Sequence, residues 1–183
     1  MRRRDSLSWL AGRKTVEKRT PFHIVSRNGA YLFENDNEET VTVNSERYVT
    51  MLEGFVEPQL RRLGIDPEAL HFQQNGATAH TARNSKAVVR EMFGTVISRF
   101  GDIAWPARSP ELTVPDFFLW GFLKDRVYRR CIVTIEELKQ ANVDEVASID
   151  EDLRRRVYGN FQTRLQQCTD VNGGHLPDVI YRK

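Results

Sequence analysis

The chain has 183 residues, 40% of them apolar, with 27 basic against 25 acidic side chains and a net charge of +2. That is the size and composition of one ordinary globular domain with tails, and so even a charge balance does not by itself argue for a polyanionic partner. No apolar run approaches the roughly 20 residues that cross a bilayer, the longest being Phe117 to Leu123 at the start of a predicted helix, and an N-terminal apolar signal core is missing, so an intracellular protein without a membrane partner is expected. Cys131 and Cys168 stand far apart with no second ligand pair, which excludes the usual zinc spacings and leaves two reduced thiols.

Residues 1–20 carry Arg2, Arg3, Arg4, Arg13, Lys14, Lys18 and Arg19 against Asp5 and Glu17 with no regular apolar face. They read as a solvated basic tail, or alternatively as a targeting stretch or a misplaced exon boundary. From Pro21 the pattern changes. Phe22–Val25 and Ala30–Phe33 are short β-prone runs separated by Arg27-Asn28-Gly29, a hairpin signal. Val41–Val43 is a third short run. Ser45 is a fitting N-cap for a helix whose apolar positions Tyr48, Met51, Leu52, Phe55, Val56 and Leu60 recur at helical spacing, with Gly64 and Pro67 closing it. Ala69–Gln74 reads as a strand. Ala82, Ala87, Val88, Met92 and Phe93 mark a second helix that Gly94 ends, and Val96–Phe100 reads as the next strand. After the loop Trp105–Pro110 a third helix starts near Pro115, with Thr113 as a candidate cap. Thr134 caps a further helix with Ile135, Leu138, Val143 and Val146, and Asp150 or Glu151 opens another with Leu153, Val157, Phe161 and Leu165, stopped by Gly173-Gly174.

Strands alternating with helices of ten or more residues indicate an α/β or α+β architecture around a mixed sheet, followed by C-terminal helices. The division expected is a basic tail over 1–20, a sheet-containing core over 21–130 and a helical region over 131–183. There is no repeat of solenoid length and no low-complexity tract.

Three stretches carry a resemblance. His71-Phe72-Gln73-Gln74-Asn75-Gly76-Ala77-Thr78-Ala79-His80-Thr81-Ala82-Arg83 is similar to a motif reading FQQDGATAHTAR. Trp105-Pro106-Ala107-Arg108-Ser109-Pro110-Glu111-Leu112-Thr113, followed by Asp116-Phe117-Phe118-Leu119-Trp120-Gly121, is similar to WPPRSPDLTPxDFFLWG. The third is the helical tail that ends in Asn172-Gly173-Gly174-His175-Leu176. Together, from about residue 31 to the end, they resemble the insect-type mariner transposases, of the Tc/mariner superfamily. The resemblance implies a ribonuclease-H-like catalytic domain with an Asp-Asp-Asp or Asp-Asp-Glu triad, Mg²⁺ as cofactor, DNA as partner and a nuclear location. In such a site two metal ions roughly 4 Å apart activate the nucleophile and stabilise the leaving oxygen, and carboxylates hold them.

Carried across position by position, the third acid falls on Asp116 and the second on Asn75, where the motif has Asp. The first acid stands in the family on an opening strand upstream of the hairpin. Nothing upstream of Phe22 matches its context, and Asp5 has neither a flanking strand nor a plausible distance. The expectation is therefore an incomplete ribonuclease-H-like fold, with Asn75 and Asp116 facing each other near one end of the sheet. It is expected to be catalytically inactive and marginally stable where a central strand is missing. No helix-turn-helix pattern precedes the hairpin, so DNA contact is expected to be weak and non-specific.

Each candidate also has an ordinary structural reading. Asn75 before Gly76 is what a strand-to-turn junction looks like, and Asp116 suits the first turn of a helix electrostatically. His80, Arg83 and Arg108 are candidate phosphate contacts or solvent-facing side chains. Trp105, Phe117, Phe118, Leu119, Trp120 and Phe122 read as core. Arg61-Arg62, Arg129-Arg130 and Arg154 to Arg156 read as phosphate contacts or, with acids such as Glu151 and Asp152 close by, as solvated helix faces, the second being the default. Two other functions remain open: a domesticated scaffold for protein contacts, and a residual nuclease in which Asp116 joins Asp66, Asp102 or Glu111 at a makeshift metal site. Oligomeric state is not legible.

Overall fold

The computed structural model describes residues 31–37, 39–105, 109–173 and 176. They form two compact units, one within Glu17–Ala107 and one within Arg108–Lys183.

The first unit begins with a tight antiparallel turn. Glu34 bridges Thr40, and the Asn35 side-chain oxygen accepts the backbone N–H groups of Asn37 at 3.0 Å and Glu39 at 2.9 Å. The run Val41–Val43 is only the exit from this turn and not the expected strand, because Asn35 draws the backbone into a local loop. Most of the hairpin expected over 22–33 lies outside the described residues, and its last residues, Tyr31–Phe33, are not in a strand.

Helix α1 runs through Ser45–Met51, a π-helical turn at Leu52–Val56, and Glu57–Arg62. Its N-cap is Asn44, whose side chain accepts from the Arg47 N–H at 2.8 Å. The cap thus falls one residue before the expected Ser45. Tyr48, Leu52, Val56 and Leu60 are all buried. A strict spacing of four overshoots an α-helix turn by about 40° at each step, and the wider π turn between Leu52 and Val56 brings this stripe back toward one face. Gly64, at φ +64°, turns the chain out of the helix in the left-handed region that glycine tolerates.

Asp66 caps a 3₁₀ turn at Pro67–Ala69, so strand β1 starts later than expected, at His71–Gln73. Helices α2 (Thr78–Thr81) and α3 (Arg83–Met92) lead to β2 (Thr95–Ser98). Arg99 and Phe100, read from the sequence as strand, belong instead to the turn into β3 (Ile103–Ala104). β3 is two residues long, too short to carry a periodic signal. The sheet order is β1-β2-β3, and both pairings are parallel. Among the described residues, then, the sheet shows only the parallel part of the expected mixed sheet. Gly94 sits where an added Cβ would lie 1.9 Å from the Glu68 carbonyl oxygen, so only glycine lets the end of α3 approach that backbone. Beneath the sheet, Val89, Phe93, Leu70 and Val96 join the α1 stripe in one apolar cluster, with Phe72 stacked on Phe93 at 4.3 Å between ring centroids.

The second unit opens with a 3₁₀ turn at Pro110–Leu112. Helix α4 follows as a π-helical segment, Pro115–Leu119, continuing into Trp120–Tyr128. Thr113 does not cap it by its side chain; its hydroxyl donates to the Ser109 carbonyl at 3.0 Å. Of the residues expected as an aromatic core, Trp105, in the first unit, and Leu119 are buried and Phe117, Phe118 and Phe122 half-buried, but Trp120 is 57% exposed. Helix α5 (Ile135–Ala147) begins with a full capping box between Thr134 and Glu137, and α6 (Glu151–Asp170) with an Asp150 cap, as their sequences predict. α5 packs on α4, where Arg126 and Arg130 reach Glu145 and Asp144. After α6 the Gly173 N–H donates to the Cys168 carbonyl at 2.7 Å. No described helix is long and apolar enough to cross a membrane.

Candidate functional site

The turn after β1 is built around two buried or half-buried side chains. Gln74, 8% exposed, accepts the Tyr48 hydroxyl hydrogen bond at 2.7 Å and donates to the His80 carbonyl at 3.3 Å. The Tyr48 and His80 rings meet at 4.5 Å between centroids. Tyr48 comes from α1, 26 residues upstream of Gln74, so neither motif nor periodicity reveals the contact. Burial holds the Tyr48 phenol in its neutral, donating form by pushing its pKa far up.

On this platform Asn75 is exposed. Its Oδ1 accepts the Ala77 N–H at 3.1 Å and meets His80 Nδ1 at 2.7 Å. A carbonyl oxygen only accepts, so His80 Nδ1 carries the proton in this contact. Burial lowers the His80 pKa, and a hydrogen bond to the Asn75 backbone opposes this in part. Asn75 and His80 are thus brought together, in a neutral arrangement.

The other candidates are distributed differently. Arg83 is the exposed first residue of α3, and Arg108 lies outside the described residues. Asp116 belongs to the second unit, exposed in the first turn of α4, its N–H donating to the Thr113 carbonyl at 2.9 Å. Of the acids considered for a makeshift site, Asp66 caps the Glu68 N–H at 3.1 Å and Asp102 accepts the Val96 N–H at 2.8 Å. Glu111 is 2% exposed, and its charge acts on Arg164. The consecutive arginines are largely paired: Arg61 with Glu57, Arg129 with Asp125, Arg154 with Glu151 and Arg155 with Asp152.

Around Asn75 the described donors do not fit a two-metal centre. The oxygen at position 75 is a neutral amide already engaged by two hydrogen bonds, which leaves the cation without the charge that a carboxylate supplies. Among the described residues no group of three or more His, Cys, Asp or Glu side chains is arranged to hold a metal ion.

The small parallel sheet with its crossing helices and the helices that follow it have a ribonuclease-H-like fold. In particular, the chain is similar to the catalytic domain of the Mos1 mariner transposase. It matches a structure of that domain with raltegravir and manganese at a TM-score of 0.69 and 18% identity, over 95% of this chain and 94% of that one. A second structure of the same catalytic domain matches at a TM-score of 0.70 and 16% identity, over 95% and 93%. Against the mariner Mos1 paired-end complex with magnesium the TM-score is 0.62 at 20% identity, over 74% of this chain and 38% of that one. No family model matches the sequence, and no curated protein matches it. At these identities the likeness is one of fold, and it is the fold that the sequence motifs imply.

Proposed function

We propose that this chain is a transposase-derived domain that has lost metal-dependent DNA cleavage and keeps a weak, sequence-independent contact with nucleic acid in the nucleus. One observation carries the reading: the position that bears the second acid in the resembling motif is Asn75, and its oxygen is tied to the Ala77 N–H and to His80 Nδ1. An amide there neutralises no Mg²⁺, and turning its oxygen toward a cation would release both hydrogen bonds. Asp116 would be the remaining acid. His80, Arg83 and Arg108 are the proposed nucleic-acid contacts, His80 as a neutral donor or acceptor and the arginines as phosphate partners.

The test is incubation of the purified chain with supercoiled plasmid in Mg²⁺ and in Mn²⁺. No nicking above a protein-free control is expected. Robust metal-dependent turnover that Asp116→Ala abolishes would sink the reading.

A further inference from the structure

The basic residues that stand out in the sequence as consecutive runs are mostly tied up in ion pairs; a different set is not. Arg83, Lys86 and Arg90 lie on α3 at positions i, i+3 and i+7, which the helix period places within about 60° of one another. Ser85 and Val89, by contrast, are buried. Arg99 and Phe100, both exposed, sit in the turn after β2. Lys86 Nζ is 5.0 Å from the centre of the Phe100 ring and the Arg99 guanidinium 5.1 Å from it, and Arg90 donates to the Phe100 carbonyl at 3.0 Å. Three cations therefore converge on one residue, although Phe100 is 47% exposed. None of the four basic side chains forms an ion pair with a described residue. Of the acids close by in sequence, Asp102 directs its carboxylate to the Val96 N–H, and Glu91, which follows Arg90, forms no ion pair with a described residue. The group also adjoins the Asn75 turn, since a Cβ on Gly76 would touch Arg99 Cδ at 3.5 Å.

Like charges gathered without counter-ions repel one another, and a site arranged this way is relieved by an anion with several charges along its length. We propose that Arg83, Lys86, Arg90 and Arg99 form a surface for the phosphate backbone of duplex DNA, and that Phe100 is its positioning residue, holding the Lys86 and Arg99 cations over its ring. The inference rests on the reading above in taking nucleic acid as the partner. It adds which residues make the contact and which form of nucleic acid they suit. A ring serving as a stacking platform for single-stranded bases keeps its face free, whereas the Phe100 ring has a cation at 5.0 Å and another at 5.1 Å. Cations fixed on a rigid helix and turn suit phosphates at regular spacing instead, and backbone contacts of this kind carry no sequence information.

The experiment is fluorescence anisotropy of the full chain with a labelled DNA duplex of arbitrary sequence and with the single strand of the same length, across about 50 to 200 mM salt. The duplex is expected to bind more tightly than the single strand. Lys86→Gln/Arg99→Gln should weaken duplex binding by about tenfold or more and lower the log–log salt slope by nearly two, roughly 0.9 for each phosphate contact removed. Arg61→Gln/Arg155→Gln, which removes paired arginines elsewhere, should leave both quantities unchanged. Phe100→Ala should weaken binding while leaving the salt slope nearly intact, because it displaces cations without removing them, and Phe100→Tyr should restore affinity. A chain that binds neither nucleic acid overturns this inference and the nucleic-acid part of the reading above together. Duplex binding that the Lys86/Arg99 variant leaves unaltered overturns the inference alone, as does a preference for the single strand that Phe100→Ala abolishes.

Discussion

At the level of single residues, the amide at position 75, where the resembling motif has an acid, has a measurable consequence for its neighbour. His80 is half-buried against Tyr48 with Nδ1 on the Asn75 oxygen. Burial disfavours its imidazolium, so its folded pKa lies below the ordinary value. In Asn75→Asp a carboxylate would face the same Nδ1 and favour the charged form. The His80 pKa is expected to rise on this substitution, and NMR titration of the ring protons would measure it; an unchanged or lower value would mean that the two side chains do not meet. The linkage has a definite sign. Because the folded pKa is depressed, the His80 contribution to stability is complete above the unfolded value of about 6.5. It is lost as pH falls through the lower folded value. Melting temperature should therefore decline on acidification from about pH 7, before most carboxylates titrate, and His80→Gln should flatten that part of the profile. The motif made both Asn75 and His80 legible in the sequence. The support of their turn was not, since the Tyr48–Gln74 hydrogen bond is a long-range contact between polar side chains with no periodic signature.

At the level of secondary-structure elements, local chemistry was read well at the caps of α5 and α6, missed at α1 and α4, where Ser45 and Thr113 are not the caps, and read poorly where tertiary packing decides. Thr134 shows the first case: its hydroxyl accepts the Glu137 N–H at 3.1 Å, while the Glu137 carboxylate accepts the N–H groups of Val133 and Thr134. Those backbone donors hold the Glu137 pKa below the usual value. Thr134→Ala should cost about 1 kcal/mol, visible in urea unfolding as a lower midpoint at constant slope. Gly94 shows the last case. The sequence marks it as a helix terminator, a role many residues fill, whereas the structure requires glycine because the Glu68 carbonyl occupies the space of a side chain. Gly94→Ala is thus expected to cost more than a surface substitution, on the order of 1–3 kcal/mol as in overpacked cores. A loss under about 0.5 kcal/mol, the ordinary range for surface changes, would show that the two backbones separate easily. The π turns in α1 and α4 and the two-residue β3 lie beyond any sequence period, because each is a packing adjustment inside or beside an element whose periodicity remains helical or too short to see.

For the molecule as a whole, charge and exposed apolar surface bear on solution behaviour. With a net charge of only +2, electrostatic repulsion between copies is weak at physiological salt, where screening acts within roughly 8 Å. Against this stands a stretch of the second unit from the end of α4 into α5, where Tyr128 is 77% exposed, Val133 88%, Ile135 64% and Leu138 42%. Apolar surface concentrated in this way promotes association, and it gives the reading of the domain as a protein-contact scaffold its physical content. Because these side chains are open to solvent, their replacement removes no core packing. Val133→Lys/Ile135→Lys keeps the Thr134 and Glu137 side chains of the capping box, so the melting temperature should stay within about 2 °C, the shift expected for a change of a few tenths of a kcal/mol. The weight-average mass from light scattering should rise with concentration for the natural sequence and rise less, or not at all, for the double variant. Equal association of the two proteins would place the sticky surface elsewhere. A large fall in melting temperature would show instead that Val133 and Ile135 support the helix junction from a position the structure shows as open.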